Sequence, residues 1–339
     1  MTVRRARQAR PTLEEVAARA GVGRGTVSRV INGSPRVSEQ AREAVLQAID
    51  ELGYVPNRAA RTLVTRRTDT VALVVAESEQ RLFDEPFFAG IIRGISSELN
   101  STGLQMLLAL AQSPDEYARL EHYLTGQHVD GVLLTSLHGD DPLPAKLEAG
   151  GVPTVLGGCP PGLAPVSYVD VDNRNGARQA VEYLVGRGRR RIATVAGPQD
   201  MGVGIDRLAG YREAVAAAGL PELIAYGDFG EASGGAATEE LLAREPGLDA
   251  VFAADDPMAL GAMHVLHKAG RRIPEDVAVI GFEDSARAPL ADPPLTSVHQ
   301  SNEEMGRQMA RLLISRIQGE QVADPVVILE THLVLRDSA

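Results

Sequence analysis

Residues 12–32 read TLEEVAARAGVGRGTVSRVIN, and this stretch decides how the chain begins. Thr12, followed three positions later by Glu15, is a capping box that starts a helix by satisfying its free N–H groups. Leu13, Val16, Ala17 and Ala20 recur at helical spacing and give that helix one apolar face. Gly21 stands where a helix ends in a left-handed residue. After the turn at Val22-Gly23, a second helical pattern turns Val27, Val30 and Ile31 inward and leaves Arg24, Thr26, Ser28 and Arg29 outside. Two short helices across a glycine-containing turn make a helix-turn-helix, whose second helix enters the DNA major groove. Arginines and small hydroxyls on the outer face suit guanine edges and phosphates.

Working outward, Asn32-Gly33-Ser34-Pro35 is a loop, and Ser38 caps a third helix ended by Gly53. Val45, Leu46, Ile49 and Leu52 are expected on the buried side of that helix. The ten residues ahead, MTVRRARQAR, are expected to be a flexible basic arm, either touching DNA backbone or simply solvated. Tyr54-Val55-Pro56-Asn57 leads into a stretch, Asn57 to Val64, that could make two helical turns. A helix that short is marginal alone in water, so it is expected to fold on DNA.

The net charge is −11, which by itself argues against nucleic acid. Its distribution reverses the inference. Residues 1–67 hold 13 Arg against 6 acidic residues, a net of +7 that leaves −18 for the remainder. A basic head on an acidic body is expected where one domain alone meets phosphate. The one cysteine, Cys159, excludes an intrachain disulfide. No metal-binding cysteine pair is present and the seven His are scattered, so no metal and no cofactor are expected. The start of the chain has no apolar core region or cleavage site, and no run is long enough to span a membrane, so a cytoplasmic protein without a membrane partner is expected.

At 339 residues the chain suggests two or three domains. From Thr70 onward short apolar runs alternate with helical segments: VALVVA (71–76), LQMLLAL (104–110), VDGVLLTS (129–136), VPTVLGG (152–158), RRIATVAG (190–197), LDAVFAAD (248–255) and EDVAVIGF (275–282). The alternation reads as parallel βαβ units covered on both faces and runs too long for one small sheet. The expected fold is an all-α helix-turn-helix head with a hinge helix, then an α/β body of two doubly wound parallel sheets. Ligands of such sheets bind beyond the carboxyl ends of the strands, in a cleft between the lobes. Thr135 and Ser136 end one of those strands and could bond a ligand there, or could equally be strand-end caps.

The blocks AGVGRGTVSRVINGSPRVS (20–38) and ELGYVPNRAARTL (51–63), in that order, resemble the DNA-binding head and hinge of the LacI/GalR family of bacterial transcription regulators. The resemblance implies a periplasmic-binding-protein-like body and a homodimer on a palindromic operator of double-stranded DNA. It implies domains at 1–10 (arm), 11–55 (head), 56–67 (hinge) and 68–339 (body), with lobe 1 at about 68–168 and 300–328 and lobe 2 at about 169–299 and 329–339. The residues expected at DNA are Thr12, Arg24, Gly25, Thr26, Ser28, Arg29, Asn32, Arg36, Tyr54, Asn57, Arg58 and Leu63. Leu63 matches the leucine that pries open the central base step. Gly25 replaces larger side chains used elsewhere in the family, which removes one base contact.

In the body the resemblance implies a small-molecule effector site. Phe87 and Phe88, within Glu85-Pro86-Phe87-Phe88, match a pocket segment, and one of the two is expected in the core. Arg207, in Arg207-Leu208-Ala209-Gly210-Tyr211, matches the effector-holding arginine, whose planar fork grips two hydroxyls or a carboxylate. Phe229 matches another pocket aromatic, and Asp255 and Glu283 match polar ligand positions. Asp256 is expected to cap the following helix. GRGTVSRVINGSPRV, EPFF and SLHGDDPLP together resemble actinobacterial cello-oligosaccharide regulators, which makes cellobiose the leading effector. Gly157-Gly158 leaves room for a saccharide where lactose-type regulators carry an acid. The alternatives are another sugar or nucleoside effector, a corepressor, a solute receptor, or a glycoside-acting enzyme with Asp255 and Glu283 as its carboxylate pair. No nucleophile–base constellation supports the enzyme.

Overall fold

The computed structural model describes residues 11–31, 33–55, 67–111, 113–159, 167–320 and 325–339. The chain forms two compact units, residues 1–68 and 69–339. The arm, Asn32, Asn57, Arg58, Leu63 and the hinge stretch lie outside the described residues.

In the first unit α1 (Leu13–Ala20), α2 (Arg24–Ile31) and α3 (Glu39–Leu52) share one small core. Both arms of the capping box form: the Glu15 amide donates to Thr12 Oγ1 (3.3 Å) and the Thr12 amide to Glu15 Oε2 (2.7 Å). Gly21, at φ 66°, ends α1 in the left-handed region that glycine adopts without a Cβ clash. Val16, Ala17, Val27, Val30, Val45 and Ala48 are buried together, with Ile31, Ile49, Leu52 and Tyr54 packed around them. Leu46 departs from expectation and is 53% exposed. The buried stripe of α3 runs through Val45, Ala48, Ile49 and Leu52, and Leu46 is turned away from it.

The second unit holds two six-stranded sheets. Lobe 1 contains β1 (Thr70–Val75), β2 (Gln105–Leu110), β3 (Gly131–Thr135), β4 (Thr154–Gly157), β5 (Ser167–Val171) and β11 (Val326–Leu329), in spatial order β11-β5-β4-β3-β1-β2. Lobe 2 contains β6 (Ile192–Ala196), β7 (Leu223–Tyr226), β8 (Ala250–Ala253), β9 (Ala278–Glu283), β10 (Thr296–His299) and β12 (His332–Val334), in order β12-β10-β9-β8-β6-β7. Among the described residues every pairing is parallel except β10 with β12, so both sheets are the expected mostly parallel, doubly wound kind, with one antiparallel edge strand. The strands β5, β7, β10 and β11 were not expected. Each is only four or five residues long, and β7 is partly exposed.

β1 shows why its sequence is an unbroken apolar run. Val71, Leu73 and Val75 enter one core and Ala72 and Val74 the other, because helices cover both faces of the sheet. Those helices are α4 (Glu79–Asp84), α5 (Pro86–Leu99), α6 (Pro114–Thr125), α7 (Leu143–Ala149) and, from late in the chain, α12 (Asn302–Gln318). Lobe 2 is covered by α8 (Asn173–Gly186), α9 (Gly202–Ala217), α10 (Glu231–Arg244) and α11 (Asp256–Lys268). The chain passes between lobes after β5, after β10 and between β11 and β12. The carboxyl ends of β3, β4, β5, β8 and β9 line the cleft between the lobes.

Candidate functional site

On the head, α2 presents Arg24, Gly25 and Arg29 exposed, with Thr26 and Ser28 half-buried beside them. Arg24 Nη1 pairs with Glu14 of α1 at 3.0 Å, an exposed and therefore exchangeable contact. Thr12 and Arg36 are also exposed. Tyr54 is half-buried and packs on the head core, so its ring props the helices.

In the body, the cleft holds about 750 Å³ of space, including its mouth open to solvent, in the size class of small-molecule sites. Of the eight effector residues expected, Phe87, Thr135, Ser136, Arg207, Phe229, Asp255 and Glu283 line it. Phe88 does not: it is 1% exposed in the lobe 1 core and meets Phe87 edge to face at 5.2 Å. Phe87 is the ring of the pair that reaches the cleft, as expected of one of the two.

Arg207 anchors the floor. It is 3% exposed. Its Nε donates to Asn173 Oδ1 (2.9 Å), Nη1 to the Ala254 carbonyl (2.6 Å) and Nη2 to Gln300 Oε1 (2.8 Å). Three of a guanidinium's five N–H donors are thus spent on protein acceptors. Burial lowers its pKa to about 10, and the charges of Glu283, Asp255 and Asp170 oppose that fall. Arginine keeps its charge at such a value at any physiological pH.

Burial raises the pKa values of the acids around it. Burial pushes Asp255 well above the ordinary carboxylate range, and the nearby charge of Glu283 pushes it further. Glu283 is raised to about 8, again by burial first, with Arg207 opposing. Asp255, not Asp256, caps α11: its Oδ1 accepts from the Met258 amide at 2.8 Å. Asp256 instead accepts from Ser297 Oγ and the Ser285 amide, both at 2.6 Å, and ties β9 to β10 in the core. Both acids fit the sequence pattern of a cap; Asp255, extended at φ −151° and ψ 171°, has the N-cap backbone, while Asp256 is already the first residue of the helix.

Three cleft residues have left-handed backbone without being glycine: Ser136 (φ 56°), Phe229 (φ 70°) and Glu283 (φ 109°). Such strain persists where the surroundings enforce it, and it clusters at binding sites. Phe229 lies over Gly197, where a Cβ would come within 2.3 Å of the ring. Thr135 Oγ1 is buried in the cleft wall with no hydrogen-bond partner among the described residues. Also lining the cleft, and not anticipated from sequence, are Arg81, Glu85, Asp170, Asn173 and Gln300. Asp170 accepts from the amides of Cys159 (3.1 Å) and Val171 (2.7 Å) and from Asn173 Nδ2 (2.9 Å), fixing the rim after β4.

Comparison with known proteins places this geometry. The model of bacterial regulatory proteins of the lacI family matches residues 12–57, and that of the periplasmic binding protein-like domain matches residues 181–339. The HTH-type transcriptional regulator CelR of Thermobifida fusca is 61% identical over 337 residues, covering 98% of this chain and 99% of that protein. This chain belongs to the lacI family of bacterial regulatory proteins. Within the family, the transcriptional repressor CytR of Escherichia coli K12 is 33% identical, covering 96% of both chains. Two solved structures share the fold. A CelR–cellobiose complex has 59% identity and a TM-score of 0.78, covering 97% of this chain and 100% of that one. The lac repressor dimer bound to operator and an anti-inducer has 28% identity and a TM-score of 0.85, covering 97% and 99%. As a lacI-family regulator the chain joins a helix-turn-helix head to a two-lobed binding-protein body. Among the described residues no helix is long and apolar enough to cross a membrane, and no cluster of His, Cys, Asp and Glu could hold a metal.

Proposed function

We propose that this chain is a cytoplasmic, homodimeric transcriptional repressor that grips a palindromic operator and releases it when a small saccharide, cellobiose or a cello-oligosaccharide, fills the inter-lobe cleft. The observation that carries the sugar assignment is the composition of the cleft. Arg207 and three acids, Asp170, Asp255 and Glu283, supply fixed polar groups beside the Phe87 and Phe229 rings. Rings stack on the apolar faces of pyranoses, and the polar groups pair with their hydroxyls. The unpartnered Thr135 hydroxyl suits the same ligand. The extended identity with CelR, whose solved complex contains cellobiose, supports that choice over other sugars, nucleosides or a corepressor.

Thr12, Arg24, Gly25, Thr26, Ser28, Arg29 and Arg36 of the head are assigned to DNA, with Asn32, Tyr54, Asn57, Arg58 and the wedge Leu63 joining them from the loop and hinge. The working domain boundaries are 11–55 for the head, 56–67 for the hinge and 68–339 for the body. Sugar closes the lobes, and the hinges then no longer pair. Moving the operator-bound state from dominant to rare needs about 5 kcal/mol of differential sugar affinity between the two conformations.

Catalysis and a cofactor have no part in this mechanism. Asp255 is committed to capping α11, and the relatives named above are transcription regulators. Chromogenic cellobiosides should remain uncleaved; turnover of any of them would reopen the enzyme assignment. Titration calorimetry of the full chain with cellobiose, maltose and a nucleoside tests the effector. Saturable heat with cellobiose alone is expected, and binding of the nucleoside in its place would overturn the choice.

A further inference from the structure

Two direct bonds between described residues join the lobes at the rim of the cleft. The Asp200 carboxylate, in the lobe 2 loop after β6, lies 2.9 Å from His138 Nδ1 in the lobe 1 loop after β3. The Gly139 amide donates to the Asp200 carbonyl at 2.8 Å. The neighbours of these residues, Ser136 and Leu137 on one side and Met201 and Gly202 on the other, line the cleft. The other ring nitrogen of His138 lies 3.3 Å from Glu77 Oε1. Glu77 is buried and accepts from Arg81 Nη1 at 3.0 Å, and Arg81 Nε donates to Glu85 at 2.7 Å. Arg81 and Glu85 face the cleft. A continuous polar chain therefore runs from the ligand space to the junction between the lobes.

An imidazole flanked by a carboxylate at each nitrogen satisfies both only when both nitrogens carry hydrogen. We propose that His138 is a proton-dependent latch: as imidazolium it bridges Glu77 of lobe 1 and Asp200 of lobe 2 and holds the cleft closed over its ligand. It is a positioning residue, acting on effector affinity through lobe closure. Bonding to Glu77 raises its pKa, burial opposes, and Asp200 raises it further. The other charged groups nearby are Arg81 on α4, itself within the field of Asp228, and Asp140 and Asp141 on the loop of His138. Asp141 is engaged by Tyr117 Oη and the Leu143 amide.

The sign follows from linkage. Opening removes Asp200, so the ring binds its proton more tightly in the closed state. Closure is favoured at pH below the open-state pKa, and that advantage is lost as pH rises through the closed-state pKa. A sugar that binds the closed state must then bind more weakly at alkaline pH.

The test uses the full chain, cellobiose and calorimetry at about pH 6 and about pH 8.5, either side of histidine titration. Asp255 and Glu283 titrate in the same cleft, so the wild-type slope is compared with that of His138→Gln and Asp200→Asn. Each variant should bind cellobiose about two- to fivefold more weakly at the lower pH, the range of a partly exposed ion pair, and should lose that part of the slope. The double variant should be no weaker than either single one. An unchanged slope in His138→Gln, or additive losses, overturns the latch. The inference rests on cellobiose as effector, and a second readout follows the ring itself. By NMR with the cleft saturated with cellobiose, the His138 ring pKa should fall in Asp200→Asn; an unchanged value overturns the latch. Absence of cellobiose heat in the wild type would instead reject the effector assignment.

Discussion

Arg207 Nη2 donates to Gln300 Oε1 at 2.8 Å, while Arg207 Nε donates to Asn173 Oδ1 at 2.9 Å. Asn173 begins α8 just after the first passage between lobes, and Gln300 stands at the second. One buried arginine on the cleft floor is thus bonded to two of the three connections about which the lobes can move. Its guanidinium also stacks on the Phe282 ring, 3.6 Å from the centroid. Whatever pulls on Arg207 in the cleft is transmitted directly to the inter-lobe strands.

Replacing Arg207 by Lys keeps a charge but removes the fork that holds both connections. Cellobiose affinity is expected to fall about tenfold to a hundredfold, the cost of a hydrogen bond to a charged group, with operator binding in the absence of sugar retained. Calorimetry and operator binding, measured side by side, check the separation. Arg207→Met is expected to destabilise the body by about 3–5 kcal/mol, because buried acids lose their compensating charge.

The raised pKa of Glu283, about 8 in the fold against an ordinary 4.5, sets a pH dependence of stability. Between those values the folded chain binds more protons than the unfolded one, so stability falls as pH rises across that window. Thermal melts of wild type and Glu283→Gln at several pH values should converge at acid pH and separate toward pH 8, with the variant the less sensitive. Parallel curves would show that Glu283 is ionised in the fold.

Gly197→Ala places a methyl within 2.3 Å of the Phe229 ring. The ring must leave its seat, which costs about 1–3 kcal/mol in stability and removes a stacking face from the cleft. Lower melting temperature and weaker cellobiose binding should appear together. A variant with unchanged sugar affinity would remove Phe229 from the ligand contacts.

On the head, Arg29→Ala and Arg24→Ala should each weaken operator binding by about 1–3 kcal/mol, the worth of a good bidentate base contact. The sugar affinity of the body should not change. Anisotropy with an operator and a scrambled duplex separates base reading from phosphate contact: a loss equal on both duplexes means that the arginine meets only the backbone.

The head was legible almost to the residue because its signals are local: a capping box, two glycine stops and an apolar stripe within a few turns. The error there, Leu46, lies one position beside the buried Val45, where a small angular shift decides burial. In the body the long apolar strands were legible, since covering both faces leaves an unbroken run. β5 was not: Tyr168 and Asp170 interrupt its apolar run, and with it went Asp170. Asn173 and Gln300 are 127 positions apart in the chain and meet only because two connections converge on Arg207. Arg81 and Glu85 lie on and just after a helix of six residues that shows no long apolar period. No spacing rule announces contacts of that kind.

The most direct test of the central claim is fluorescence anisotropy of a G-rich palindromic operator held by the full chain while cellobiose is titrated in, with other sugars as controls. Release by cellobiose and not by the controls is expected. Tighter operator binding with saturating cellobiose, or no operator binding at moderate salt, would contradict the account.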